Sequence, residues 1–188
     1  MSIGAKHGQY LARAREYQTT YAISARSHHL AASEATKWNK YLGAPVTVAS
    51  TIVGTSIFAT INESPEMGWR IAAGLLALLA ALLSSLQTFF GYSKLAEQHK
   101  VAGTRYASIR RQLEHFELKY TDAEDDMRST ALSELEGIFT RISELAEESP
   151  TIPDKVYDQA KKEFQAGSLD RNMQLSRERG VNRHQIKN

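Results

Sequence analysis

Thr47, Thr51 and Thr55 recur at every fourth position of a stretch that carries no charge, with Ser50 and Gly54 beside them. Hydroxyls at that interval share one face of a helix. There they either bond back to the helix's own carbonyls or line a polar path. A second uncharged stretch places Ala73, Ala77, Ala81 and Ser85 at the same interval and Gln87 near its end. Small residues every fourth position let helix backbones approach closely in lipid, so both rows are candidates for helix packing or for lining a path. His28 and His99 are the other residues of note, since imidazole titrates near neutral pH. They read as a switch or as polar members of a packed seam that a partner already satisfies.

Other chemistry is poorly provided for. Residues 121–126 (TDAEDD) offer carboxylates, but no histidine is close and the spacing fits no calcium loop. Acidic residues there read instead as the start of a helix, whose dipole they complement. The chain has no cysteine, hence no thiol nucleophile and no Cys-based zinc site. No Gly-rich phosphate loop, nucleophile elbow or HExxH motif occurs, and Ser84 and Ser85 have no base near them in sequence. The expectation is a non-enzyme without cofactor or metal.

The elements that position these residues follow from the segregation of charge. Residues 41–61 (YLGAPVTVASTIVGTSIFATI) and 71–92 (IAAGLLALLAALLSSLQTFFGY) hold no charged side chain. A helix of ~20 residues spans the ~30 Å hydrocarbon core of a bilayer, and each run is long enough. Between them lies NESPEMGWR, with Pro65 and Gly68 as turn residues and Trp69 suited to an interface. The pattern predicts a transmembrane helical hairpin over 41–92 in an otherwise polar, all-α chain of 188 residues, whose mean hydropathy of −0.39 conceals the contrast. The N-terminal residues lack the layout of a signal peptide, so the first span is expected to direct insertion. A net charge of +2 gives no reason to expect a nucleic-acid partner.

Flanking helices extend the pattern. Residues 1–40 are expected to form a cytoplasmic amphipathic helix, whose seam runs through Tyr10, Ala14, Tyr17, Tyr21, Ser24, His28, Ala31, Ala35, Trp38 and Leu42 in heptad-like steps. The same rhythm continues after the second span, over 93–120, through Leu95, His99, Ala102, Tyr106, Ile109, Leu113, Phe116 and Tyr120. An antiparallel arrangement about Pro65 would set Tyr21 roughly opposite Ile109 and pair the two helices as a stalk. Residues 121–167 are expected to form the C-terminal helices. The first has Leu132, Leu135, Ile138, Phe139, Ile142 and Leu145 on its inner face. The second opens at Pro153 and has Gly167 as a C-cap. Residues 168–188 form a basic polar tail with too few apolar residues to fold alone. Its arginines could touch anionic headgroups or a nucleotide, or remain solvated.

A resemblance rests on residues spread from 38 to 111: Trp38, Tyr41-Leu42-Gly43-Ala44-Pro45, Gly54-Thr55-Ser56-Ile57-Phe58, Trp69, Leu86-Gln87-Thr88-Phe89-Phe90, then His99, Ala102, Tyr106 and Ile109-Arg110-Arg111. Pro150-Thr151-Ile152-Pro153 with Tyr157 and Ala160 extends it. In order and spacing these residues resemble the SLATT domain family of bacterial conflict systems. The resemblance implies a two-span membrane effector that forms pores against phage infection, in abortive fashion, alongside a sensor or nucleotide-signalling component. Here that component would be a separate partner. One hairpin has too few helices to enclose a pore, so that reading needs a homo-oligomer in the lipid bilayer. The alternative is a non-conducting scaffold or receptor that docks a cytoplasmic partner.

Lysine and arginine set the orientation. Lys6, Arg13, Arg15, Arg26, Lys37 and Lys40 precede the first span, and Lys94, Lys100, Arg105, Arg110 and Arg111 follow the second, while the loop between holds only Arg70. The positive-inside rule then expects a multi-pass inner-membrane protein with both termini in the cytoplasm. A reporter active only outside the cytoplasm should therefore work when fused within residues 62–69 and fail at either terminus. The reverse pattern would overturn the topology.

Overall fold

The computed structural model describes residues 3–59, 66–121 and 127–168. Among them the chain is all-helical, with α1 (Ile3–Ala59), α2 (Met67–Phe90), α3 (Tyr92–Tyr120) and α4 (Arg128–Glu148). Residues 154–168 form a further helical segment, α5. These elements divide into two units. One comprises Met1–Ala31 with His99–Asn188, the other Ala32–Gln98.

In the first unit α1 packs antiparallel to α3. Two ring contacts fix the register, His28 on His99 and Tyr21 on Tyr106, spaced one heptad apart along each helix. Packing works because the partners differ in size. α1 buries Ala14, Ala22, Ala25 and Ala31, while α3 buries Leu113, Phe116 and Tyr120. Large side chains over small ones fill the space between helices at interior density. Tyr17 stacks on Tyr21 at 5.7 Å and meets the edge of Phe139 from α4 at 5.1 Å, so α4 closes over the same core. Ala131, Leu135, Ile138 and Leu145 are its buried residues. α5 adds Val156 and Ala160. Its first turn is set by Pro153, whose carbonyl accepts the Val156 and Tyr157 N–H groups at 2.9 and 3.1 Å.

Ion pairs join the helices at the rim: Arg15 with Glu117, Arg26 with Glu163, Arg105 with Glu148, and Lys119 with Glu134. Exposed pairs of this kind contribute about 0–1 kcal/mol each, so the orientation of the helices is set by the core. Gly167 does not end its helix. α5 continues through it to residue 168, where the Ser168 hydroxyl donates to the Gln165 carbonyl at 2.7 Å.

The second unit holds the remainder of α1, all of α2 and the start of α3. Three features mark the course of these helices. First, α1 runs through Pro45 without stopping; the proline forfeits one backbone bond, and the turns on either side keep the helix whole. Second, Met67–Arg70 belong to α2, not to the loop, because the Glu66 carbonyl accepts the Trp69 and Arg70 N–H groups at 3.1 and 3.3 Å. Pro65 and the rest of 60–65 lie outside the described residues, as do the acidic residues 122–126 and the tail from 169. Third, Gly91 separates α2 from α3. Its φ of 57° and ψ of 31° are left-handed, a conformation that glycine adopts without steric cost. Gly91 N–H donates to Gln87 and its carbonyl accepts from Leu95, which carries the bonding across the break.

Among the described residues one helical stretch, Met67–Tyr120, is long and apolar enough to cross a membrane, and only 6% of its apolar window is buried. Leu75, Leu78, Leu82 and Phe89 are among its exposed residues. The other apolar run, 41–61, ends on residues outside the described set.

Two glycines should respond oppositely to alanine. A Cβ on Gly103 would lie 3.1 Å from the Ala25 carbonyl oxygen and 3.1 Å from the His29 ring, whereas one on Gly137 meets nothing within 4 Å. Gly137→Ala should raise stability by about 1 kcal/mol through helix propensity. Gly103→Ala should lower it, since a backbone carbonyl in a packed seam yields poorly. Chemical denaturation of the detergent-solubilised protein checks both signs.

Candidate functional site

The seam of the first unit centres on His28 and His99. Both are almost fully enclosed, 2% and 3% exposed, and their Nδ1 atoms lie 2.9 Å apart. At that distance one ring carries its proton on Nδ1 and donates, while the other carries it on Nε2 and accepts. The His28 ring also stacks on Tyr106 at 5.3 Å. Burial pushes the His28 pKa down to about 4, with the charges of His99 and His29 adding to the effect, and burial lowers His99 as well. At neutral pH the pair is therefore uncharged and hydrogen-bonded, a satisfied polar contact inside the seam. Of the other seam residues, Ile109 is buried, and Tyr21 packs on Tyr106 at 5.8 Å. Burial, reinforced by Tyr17 and Tyr106, raises the Tyr21 pKa to about 12.

The second unit sorts its polar residues onto two faces. Ala49 of α1 and Ala80 of α2 are buried, which marks the contact between the two helices. Gln87 is on that contact. Its Nε2 donates to Asn39 Oδ1 at 3.1 Å, and the same amide lies 3.1 Å from where a Cβ on Gly43 would stand. Gly43 thus makes room for the glutamine. Ala77 is half-buried on the same side, and Gly54 is likewise only partly covered. Thr47, Ser50, Thr51 and Thr55 are exposed, as are Ala81 and Ser85. Each threonine hydroxyl donates to the carbonyl one turn earlier: Thr47 to Gly43 at 3.0 Å, Thr51 to Thr47 at 2.8 Å, Thr55 to Thr51 at 2.9 Å. Ser85 does the same to Ala81 at 2.9 Å. The threonine row is therefore an outer face of the second unit, and the packing face is made elsewhere. Asn39 was not among the residues singled out from sequence. A lone amide ahead of an apolar run, opposite a lone amide at the end of another, was the available signal.

Family models, curated proteins and solved structures were all compared with the chain, and none matches.

Among the described residues no group of three or more His, Asp or Glu side chains could hold a metal ion. Grooves on the first unit include one of about 560 Å³ between α3 and α4, lined among others by Ser108, Arg111, His115, Ser133, Glu134 and Arg141.

The histidine pair makes stability depend on pH with a definite sign. Both folded pKa values lie below the ordinary 6.5, so the unfolded chain binds more protons between 6.5 and about 4. The contribution is complete above 6.5 and is lost as pH falls toward 4, reaching on the order of 3 kcal/mol for His28. Glu117 and Glu134 also weaken the fold in acid, since bonds from Arg15 and Lys119 respectively lower their pKa values. Asparagine at both histidine positions keeps an amide pair in place of the imidazoles without titrating. Denaturation midpoints of the His28→Asn/His99→Asn protein should vary less between pH 7 and 5 than those of the parent. Equal slopes would mean that the pair does not set the pH response.

Proposed function

We propose that this chain is a two-span integral membrane protein of the inner membrane, with both termini cytoplasmic. It assembles with copies of itself and permeabilises or depolarises the membrane when a separate partner triggers it, in the manner of an anti-phage effector. The outward threonine row carries this reading. Thr47, Thr51 and Thr55 lie on an exposed face of α1 while the α1–α2 contact is made by other residues. A polar stripe that its own hairpin does not use is available to face a central path once several hairpins surround one. The exposed leucines of α2 supply the complementary requirement, an apolar surface for lipid. The resemblance to SLATT domains supports the role in bacterial conflict, with the trigger supplied by a separate sensor or nucleotide-signalling protein.

Back-bonding of the same hydroxyls favours a second reading, a non-conducting anchor for a helical module that docks a cytoplasmic partner. A threonine satisfied by its own helix can face lipid as well as water. Valine at Thr51 and Thr55 separates the two. It keeps size and branching and removes the hydroxyls, leaving a ring of apolar side chains that dewets. Transmembrane hydroxyl bonds average only ~0.6 kcal/mol, so the Thr51→Val/Thr55→Val protein should insert and assemble as the parent does. It should no longer depolarise cells or release dye from liposomes. Unchanged leakage from a fully assembled variant would remove the threonine face from the path. Parent protein that assembles without leakage would favour the anchor.

A further inference from the structure

Aromatic side chains gather where the two helices of the second unit approach their charged flanks, and apart from half-buried Tyr92 they are exposed. Trp38 lies over Tyr92 at 6.4 Å with the rings 22° from parallel, and its edge meets Tyr41 at 6.3 Å. Tyr92 stacks in turn on Phe90 at 5.4 Å, and Phe90 meets Phe89 at 5.4 Å. These rings are packed on one another but not into a core: Trp38 is 56% exposed, Tyr41 71% and Phe89 82%. Water is a poor neighbour for so much contiguous ring surface. Lys37, Lys40 and Lys94 are exposed within the same turns of α1 and α3. The first acidic residues, Glu34 and Glu97, come a turn farther from the apolar runs. Along both helices the order is therefore apolar side chains, then amphipathic rings, then cations, then mixed charge.

We infer that Trp38, Tyr41 and Tyr92 with Lys37, Lys40 and Lys94 form a binding surface for the headgroups of anionic phospholipids. The inference rests on the membrane reading and adds to it a depth and a lipid class. Tryptophan and tyrosine rings settle at the boundary between acyl chains and headgroups, where one edge is apolar and the other wet. Lysine ammonium groups extend past them to the phosphates. Gly91 adds to the geometry, because its left-handed turn directly follows Phe90 and starts α3 at Tyr92. The occupant is lipid and not a second copy of the chain, since the charged residues nearest the rings in sequence, Lys37, Lys40 and Lys94, are all cations and identical patches would set lysine against lysine.

The chain has two tryptophans, so Trp69→Phe leaves Trp38 as the single reporter. This variant is reconstituted in phosphatidylcholine bilayers whose chains carry bromine at shallow or deep positions. Shallow bromines should quench Trp38 most. Brominated phosphatidylglycerol should then quench it several-fold more effectively than brominated phosphatidylcholine at equal mole fraction, about fivefold per lysine at most. Lys37→Gln/Lys40→Gln/Lys94→Gln in the same background should bring the two lipids to parity while leaving the helical circular dichroism unchanged. A fluorophore on Leu78→Cys, an exposed position of α2, reports the membrane reading separately and should be quenched most by deep bromines. A deep Leu78 label beside a Trp38 that no lipid quenches would overturn this inference and leave the membrane reading standing. Equal quenching by the two headgroups would overturn its charge component. A Trp38 shielded from lipid that crosslinks between copies as Trp38→Cys would make the surface a protein interface. Loss of quenching at both positions would overturn the membrane reading and this inference with it.

Discussion

A dry seam between α1 and α3 can exist only if its polar members satisfy one another. His28 and His99 do this with a single hydrogen bond, and Ser27 does it by donating to the Ile23 carbonyl at 2.8 Å. Removing one imidazole would strand the other, and an unsatisfied buried group costs about 1–3 kcal/mol. The bond also selects among alignments. Alanine-rich α1 could slide along α3 with little loss of apolar contact, but a slip by one turn would separate the rings and bury both without partners. Gly103 reinforces the same alignment, because only there does α3 admit the Ala25 carbonyl and the His29 ring so closely. The His28–His99 bond and the close approach at Gly103 thus favour the same register of the first unit.

Helix content and the heptad rhythm were legible in the sequence because both follow from spacing. Ala14, His28, Ala31, Tyr106, Leu113 and Phe116 all sit on the periodic stripe and are buried or stacked in the structure. Trp38 sits on the same stripe and is exposed. Periodicity reports which face a residue shares, not whether anything covers that face, and beyond Ala35 the stripe reaches aromatic rings that stack only on each other. Boundaries were less legible. Pro45 and Gly91 have opposite effects on their helices. Proline lacks an N–H but leaves the preceding and following turns bonded, so α1 continues. Glycine is indifferent to handedness, and Gly91 uses that freedom where α2 gives way to α3. The side-chain bonds between distant segments, Asn39 to Gln87 and Arg26 to Glu163, have no local signature and needed the fold.

Gln87 and the threonines differ in where they lie for a reason that bears on solvent. A hydroxyl offers one proton, and a helix has a carbonyl within reach one turn earlier, so Thr47, Thr51 and Thr55 are satisfied wherever they point. A primary amide has two donor hydrogens and an acceptor oxygen, and its own helix cannot satisfy that set. Gln87 accordingly turns toward α1, where Asn39 accepts from it and the bare backbone at Gly43 leaves space. In water such a preference would be weak, because an exposed glutamine is fully solvated. In hydrocarbon it would be strong, since an amide facing lipid has no partner at all. A hydrocarbon surrounding would therefore favour the same division of polar residues between the inner and outer faces of the second unit. Serine shares this property, as Ser85 does with the Ala81 carbonyl, so a hydroxyl row needs no partner beyond the helix that bears it.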